Sequence, residues 1–235
     1  MGRMRQALKP RSLPVISLSR HIFSSQERAT WDGLIKAYDA GLCSAVGVSN
    51  FGPAQLQKVV RYLGKAGVPV ATTQVQCSLL SAGPGTRAAL SAAADLGVAV
   101  LAYSPLALGM LSGAYGPAGR DGGGRQEEAP TPRPGHYPAG PRGALFRSIL
   151  PKAGPLLTVV AGIAAAKRCT PSQVALAWCL DLDTVPIPGA RCAAHVQSHT
   201  GAIKVRLSPG DVAALDGAAS VLGKATMPQN VFATR

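Results

Sequence analysis

Three glycines set the frame of this chain. Gly41, Gly67 and Gly97 each close a stretch with helical periodicity and each precede a short apolar run. Glycine is the common helix stop because it takes the left-handed backbone with no Cβ penalty. Before Gly41, Trp31, Leu34, Ile35 and Tyr38 fall at i, i+3, i+4 and i+7, one face of a helix. After it, Ala45 to Val48 reads as a buried strand opening into Ser49-Asn50. Pro53 suits the first turn of the next helix, whose apolar face is Leu56, Val59, Val60 and Leu63. The cycle repeats with a strand in Val68 to Gln76, a helix over Thr86 to Leu96 and a strand from Val98 to Tyr103. Apolar strands alternating with helices predict parallel βα units, an α/β fold.

The rhythm breaks at residues 113–142, where Gly, Pro and Arg dominate; the expectation is a long loop insertion. A helix over Leu156 to Lys167 follows. Thr170-Pro171-Ser172-Gln173 carries a Thr cap, a Pro in the first turn and a Gln three residues after the cap. Thr184 to Pro188 is a fourth strand, followed by helices from about Ala193 and from Ser208-Pro209-Gly210-Asp211. The expected organisation is a basic N-terminal segment over 1–26, one domain over 27–225 and a tail over 226–235. Four strands fall short of a closed parallel barrel, which needs eight and typically ~250 residues.

The formal net charge is +13, from 24 Lys and Arg against 11 Asp and Glu. Much of the excess lies at the start. Residues 1–26 hold Arg3, Arg5, Lys9, Arg11 and Arg20, five serines and no acid. That is the composition of an organelle transit peptide, or of a basic tail or misassigned start. No basic run is interleaved with aromatics, so the expectation is no nucleic-acid partner. Every apolar stretch of ~18 residues is broken by a charge or a proline, so no membrane span is expected. Five cysteines without paired short spacing argue against a disulfide framework.

In parallel barrels the chemistry sits in loops after the strands' C-terminal ends, with phosphates at the last two. Ser49, Asn50 and Gln74 offer the donors and acceptors a carboxamide needs. Tyr103 is placed to stack on a planar ring. Ser104 to Gly109 presents backbone N–H groups to an anion. Gly189 and Arg191 precede a helix, whose start favours anions, and Arg191 offers a bidentate fork. For each there is a plainer alternative: Ser-Asn after a strand is commonly a turn or cap, and Tyr103 a partly buried sheet residue.

The strings Ala45 to Phe51 (AVGVSNF), Gln74-Val75-Gln76, Ala102 to Gly109 (AYSPLALG) and Pro186 to Ala190 (PIPGA) together resemble the aldo-keto reductase family, in its plant and cyanobacterial branch with chloroplast members. Gly143 to Pro151 (GALFRSILP) and Gln229 to Phe232 are similar to that branch too. The resemblance runs from about Trp31 to the C-terminus and implies the C-terminal half only of a (β/α)8 TIM barrel, about strands 5–8 with their helices. It implies NADPH as cofactor, a small-molecule aldehyde or ketone as substrate, and chloroplast localisation, otherwise cytoplasmic. By the same resemblance Ser49, Asn50 and Gln74 hold the nicotinamide carboxamide, and Tyr103 stacks beneath its ring. Ser104, Leu106 and Gly109 line the pyrophosphate, while Gly189 and Arg191 face the adenosine 2′-phosphate.

The departures matter as much. Members of the family carry Asp, Tyr, Lys and His in the first half of the barrel, a set in which contact tunes the acid. No stretch before Trp31 matches the Asp, Tyr or Lys motifs. Leu13 to Leu18 offers a stand-in for the fourth strand with His21 just past it, but its surroundings do not match, and no catalytic residue is assigned. Ser198-His199 stands where the family has a Glu-Asn pair near adenine, and Ala114 where it has a Lys. His195 and His199 are too few for a metal, and no metal site is assigned. The expectation is an NADP-dependent oxidoreductase by descent that is inactive as this chain alone; the alternative is a non-catalytic nucleotide- or partner-binding remnant. Exposed barrel edges would favour self-association.

Overall fold

The structure is a computed structural model that describes residues 15–19, 27–115, 137 and 140–222. The chain divides into two compact units. Among the described residues the first holds everything up to Gln76 together with Gly83–Ala102. The second holds Cys77–Ala82 and the chain from Tyr103 onward.

The first unit is built as the glycine stops predict. Its elements are β1 (Val15–Ser19), α1 (Glu27–Asp39), β2 (Ala45–Ser49), α2 (Pro53–Gly64), β3 (Val70–Gln76), α3 (Pro84–Asp95) and β4 (Ala99–Tyr103, whose last residue counts with the second unit). The strands lie in the order β1-β2-β3-β4, and β1–β2 and β2–β3 pair in parallel. Gly41, Gly67 and Gly97 have φ of +68°, +72° and +67°, so an L side chain at any of them would be strained. Trp31, Val46, Val48, Leu56, Val59, Leu63, Val75 and Val100 form one buried cluster. Strand side chains alternate between faces. Val46 and Val48 therefore face that cluster, and Gly47 and Ser49 the other side.

β1 overlaps the Leu13 to Leu18 run that the sequence offers as a stand-in strand. Val15 to Ser19 lies within the segment read as basic N-terminal chain, yet it pairs residue for residue with Ala45 to Ser49. The run Val15-Ile16-Ser17-Leu18 has the apolar content of a buried strand, and that outweighs its basic flanks. His21 lies outside the described residues, as do most of 1–26, the core of the 113–142 segment and the tail from 226.

The second unit contains a 3-10 turn (Ala107–Ser112), α4 (Gly140–Ala166), α5 (Pro171–Asp181), β5 (Thr184–Ile187), α6 (Ala193–Thr200), a second 3-10 turn (Gly201–Lys204) and α7 (Pro209–Ser220). Thr170/Gln173 and Ser208/Asp211 both close capping boxes, which fix the starts of α5 and α7. Trp178 is fully buried, and its Nε1 donates to Asp216 Oδ1 at 3.0 Å.

α4 is longer than the sequence predicts. It begins at Gly140 instead of about Leu156 and continues through Pro151 and Pro155. A proline removes one i→i−4 bond and crowds the turn before it. Here the loss is offset by burial of Phe146, Ile149, Leu150, Ala153, Leu156 and Leu157. By length and composition α4 is long and apolar enough to cross a membrane, although Pro151, Lys152 and Pro155 interrupt it. Ten of its residues are packed inside this unit.

Candidate functional site

In the first unit, the pairing of β2 with β3 brings Ser49, Asn50 and Gln74 together. The register runs Val46↔Val70, then shifts so that Gly47 meets Thr72 and Ser49 meets Gln74. The shift is the work of one extra β3 residue, Ala71, and it is decisive. An unshifted ladder would set Ser49 opposite Thr73, the buried residue on the same face of β3 as Val75. Gln74 instead lies half-buried beside Ser49, which is 8% exposed. Asn50 follows with φ +61°, the left-handed region that asparagine tolerates better than most residues. Its backbone N–H donates to the Gln74 carbonyl at 2.9 Å. A hydroxyl and two carboxamides thus crowd one strand end, a set suited to a ligand carrying its own amide.

In the second unit, Tyr103 ends β4, half-buried. Its carbonyl accepts from the Cys77 N–H at 3.2 Å. The segment after it turns tightly. Ser104, Ala107, Leu108 and Gly109 all have positive φ, at +52°, +50°, +58° and +98°. The Ser104 carbonyl accepts from the Ala107 N–H at 2.9 Å, and the Leu106 carbonyl from the Gly109 N–H at 2.8 Å. Three non-glycine residues in that region cost roughly 1–3 kcal/mol each and persist only where their surroundings hold them. Successive turns of this kind gather backbone N–H groups into a concavity for anions.

Two contacts hold that loop. Arg142, in the first turn of α4, donates from Nη2 to the Leu108 carbonyl, and its guanidinium lies 5.3 Å from the centre of the Phe146 ring. A Cβ at Gly113, where φ is +84°, would lie 2.8 Å from Pro171 Cγ. The sequence places Arg142 in a featureless insertion, because Gly140-Pro141-Arg142-Gly143 reads as loop. It is the residue that sequence reasoning misses here.

Gly189 and Arg191 lie on a different loop of the same unit, between β5 and α6, and both are exposed. The Arg191 N–H donates to His195 Nδ1 at 3.3 Å, and its guanidinium extends from an exposed position at the start of α6. His195 and His199 stack at 6.0 Å between ring centres. Burial, and then the neighbouring His195, push the His199 imidazole below its ordinary pKa. The Ser198 carbonyl accepts from Gln173 Nε2 at 2.8 Å, and Ala114 donates its N–H to Ser112 Oγ at 3.4 Å. No group of three or more His, Cys, Asp or Glu able to hold a metal occurs among the described residues. Cys179 is buried, and the contact with Cys77 followed by desolvation pushes its thiol up. It is inert packing and no nucleophile.

Comparison with known proteins gives the family and the fold. The aldo/keto reductase family matches residues 3–220. The match takes in residues 3–30, which the motif-based resemblance left out, and it is not confined to a C-terminal half. A chloroplastic pyridoxal reductase of Arabidopsis thaliana is 42% identical over 210 residues, covering 89% of this chain and 53% of that protein. An uncharacterized oxidoreductase of Mycobacterium tuberculosis is 36% identical over 190 residues, covering 80% of this chain and 53% of that protein. The chain thus spans about half the length of the curated relatives it matches. A solved thermostable aldo-keto reductase, crystallised with the inhibitor epalrestat, superposes with a TM-score of 0.58 at 21% identity. It covers 87% of this chain and 58% of that one. That likeness concerns the fold, an α/β architecture of TIM-barrel type.

Proposed function

Since the chain belongs to the aldo/keto reductase family, whose members are oxidoreductases, we propose that its strand-end loops hold NADPH. The observation that carries this reading is the Ser49–Asn50–Gln74 cluster, set by the β2–β3 register. Ser49, Asn50 and Gln74 would take the nicotinamide carboxamide. Tyr103 would lie against the ring, and Ser104, Leu106 and Gly109 would receive the pyrophosphate in the left-handed turn. Gly189 and Arg191 would receive the adenosine 2′-phosphate. The residues fit the group: the turn after β4 is a ready anion cradle, and an exposed guanidinium suits a terminal phosphate. When bound, NADPH supplies a hydride for a carbonyl carbon.

The substrate proposed for the whole protein is an aldehyde or ketone, and the Arabidopsis relative points to an aromatic aldehyde of the pyridoxal kind. Reduction also needs a proton donor beside the carbonyl. The sequence has no match to the family's Asp, Tyr and Lys motifs, so this chain by itself is proposed to bind NADPH without reducing a carbonyl. The same relative supports chloroplast localisation, which a fluorescent fusion of the full chain in leaf protoplasts would test. Self-association through strand edges is read out by light scattering, where a monomer would oppose it.

One assay addresses the activity. The chain is mixed with NADPH and pyridoxal, and NADPH absorbance is followed against a protein-free control. The expected outcome is a shift in nicotinamide fluorescence on binding and no excess consumption. Consumption above the control would show that this chain carries its own proton donor, and would overturn the proposal of inactivity.

A further inference from the structure

The second unit carries a second concave surface that the NADPH reading does not use. It has a volume of about 430 Å³, and its walls include Lys167, Arg168, Gln173, Gly201, Lys204 and Arg206. With Cys169 and Val205 the lining comprises eight residues, four of them cations, and among the described residues no carboxylate belongs to it. We propose that this cavity is a binding site for a compact polyanion carrying two or more linked phosphate groups.

The charge is not balanced from within. Lys167 has a partner, its Nζ lying 2.8 Å from Asp211 Oδ2. Arg168, Lys204 and Arg206 pair with no carboxylate among the described residues; Arg206 Nη1 reaches only the Ile203 carbonyl, at 3.3 Å. Helix C-termini attract cations, which accounts for Lys167 and Arg168 just after α4. Lys204 ends the second 3-10 turn, which runs on directly from α6, so it too stands at a helix end, and Arg206 lies two residues beyond it. Like charges gathered in a concavity repel one another and raise the local potential for anions. Guanidinium forks and a lysine together suit phosphate oxygens.

The wall between these charges is braced by hydrogen bonds. The Gln173 amide is fixed at both ends, its Oε1 accepting from the Thr170 N–H at 2.9 Å and its Nε2 donating to the Ser198 carbonyl at 2.8 Å. Gly201 makes room for it: a Cβ there would run into Gln173 Nε2. Arg168 is held in a left-handed turn at φ +53°. The cavity falls in the size range of small-molecule sites. A nucleic acid would instead need its charge spread along a backbone track. A small, densely charged anion is the ligand that fits both the size and the three cations, Arg168, Lys204 and Arg206, that lack a carboxylate partner.

The test is calorimetric titration of the full chain, held saturated with NADPH so that the turn after β4 is occupied, with inorganic pyrophosphate and, separately, orthophosphate at constant near-physiological salt. Pyrophosphate should bind about tenfold tighter than orthophosphate. The Lys204→Ala/Arg206→Ala double variant should weaken pyrophosphate binding at least about tenfold, with an unchanged circular dichroism spectrum and unchanged NADPH binding. Lys204→Arg should retain pyrophosphate, and Arg191→Ala should leave it untouched. Absence of pyrophosphate binding, or equal affinity for both anions, would overturn the proposal. So would binding that survives the double variant. Loss of NADPH affinity in the double variant would place these cations in the nucleotide site and overturn it as well.

Discussion

Two loops of the second unit are assigned to the same cofactor, and they are built in opposite ways. The segment Ser104 to Gly113 is over-determined: five of its residues have positive φ, three of them not glycine after Ser104 is counted with Ala107 and Leu108. Arg142 bonds its Leu108 carbonyl, and Pro171 packs against Gly113. The segment Gly189 to Arg191 is exposed, and a Cβ at Gly189 would meet nothing within 4 Å. A strained turn is kept only where its neighbours hold it, so the first loop is shaped before any ligand arrives. The second offers charge and reach. Pre-organisation suits a backbone cradle, whose donors cannot be re-aimed. A terminal phosphate needs one well-placed guanidinium, and that can be supplied from an open loop.

The contrast is broken or sharpened by substitution, beginning with the glycines. Gly113→Val should lower stability by about 2–4 kcal/mol, through the Pro171 clash and the positive φ. Gly189→Val should stay within about 0.5 kcal/mol. Denaturant midpoints for the two variants check this, and equal losses would erase the distinction. Arg191→Ala comes next. It should weaken NADPH by about tenfold, leave NADH and the unfolding midpoint alone, and so mark the open loop as a selectivity element. Arg142→Ala should cost about 1 kcal/mol of stability and weaken both nucleotides alike, because it loosens the cradle without touching the 2′-phosphate. A loss confined to NADPH would instead move Arg142 to the adenosine end.

The smallest effect expected is a pH dependence on the open side. The folded state holds His199 below its ordinary pKa, chiefly by burial and then by His195. Below about pH 6.5 the unfolded chain therefore binds the proton first. The His199 contribution is complete above that pH and is lost as pH falls toward the depressed folded value. Since the ring is only partly buried, the loss should be about a few tenths of a kcal/mol, and His199→Gln should flatten it. Unfolding midpoints between pH 7 and pH 5 read out the difference.

How far the sequence foretold all this depends on what kind of signal each part carries. The βα units of the first half were legible because their cores are apolar at regular spacing and end on glycines that must be left-handed. The capping box at Thr170 was legible because its side chains close hydrogen bonds within three residues, and at Ser208 the helix start was legible though its box with Asp211 was not read. The start of α4 was not. Gly140-Pro141-Arg142-Gly143 has loop composition, and tertiary burial of Phe146 and Ile149 decides its helicity. The residue types around Ser49 and Gln74 were legible, but their alignment was not. It depends on one extra residue in β3, and a one-residue slip in a ladder leaves no local trace in sequence. The left-handed backbone at Ala107 and Leu108 was equally hidden, since neither residue signals a turn.

The most direct test of the central claim is titration of the full chain with NADPH by calorimetry, beside Asn50→Ala and Gly109→Val. Saturable binding at one site, weakened in both variants, is the predicted result: one change strips the amide cluster and the other disrupts the cradle. If NADPH shows no binding, or binds as well to both variants as to the parent chain, the strand-end loops do not form the cofactor site and the account fails.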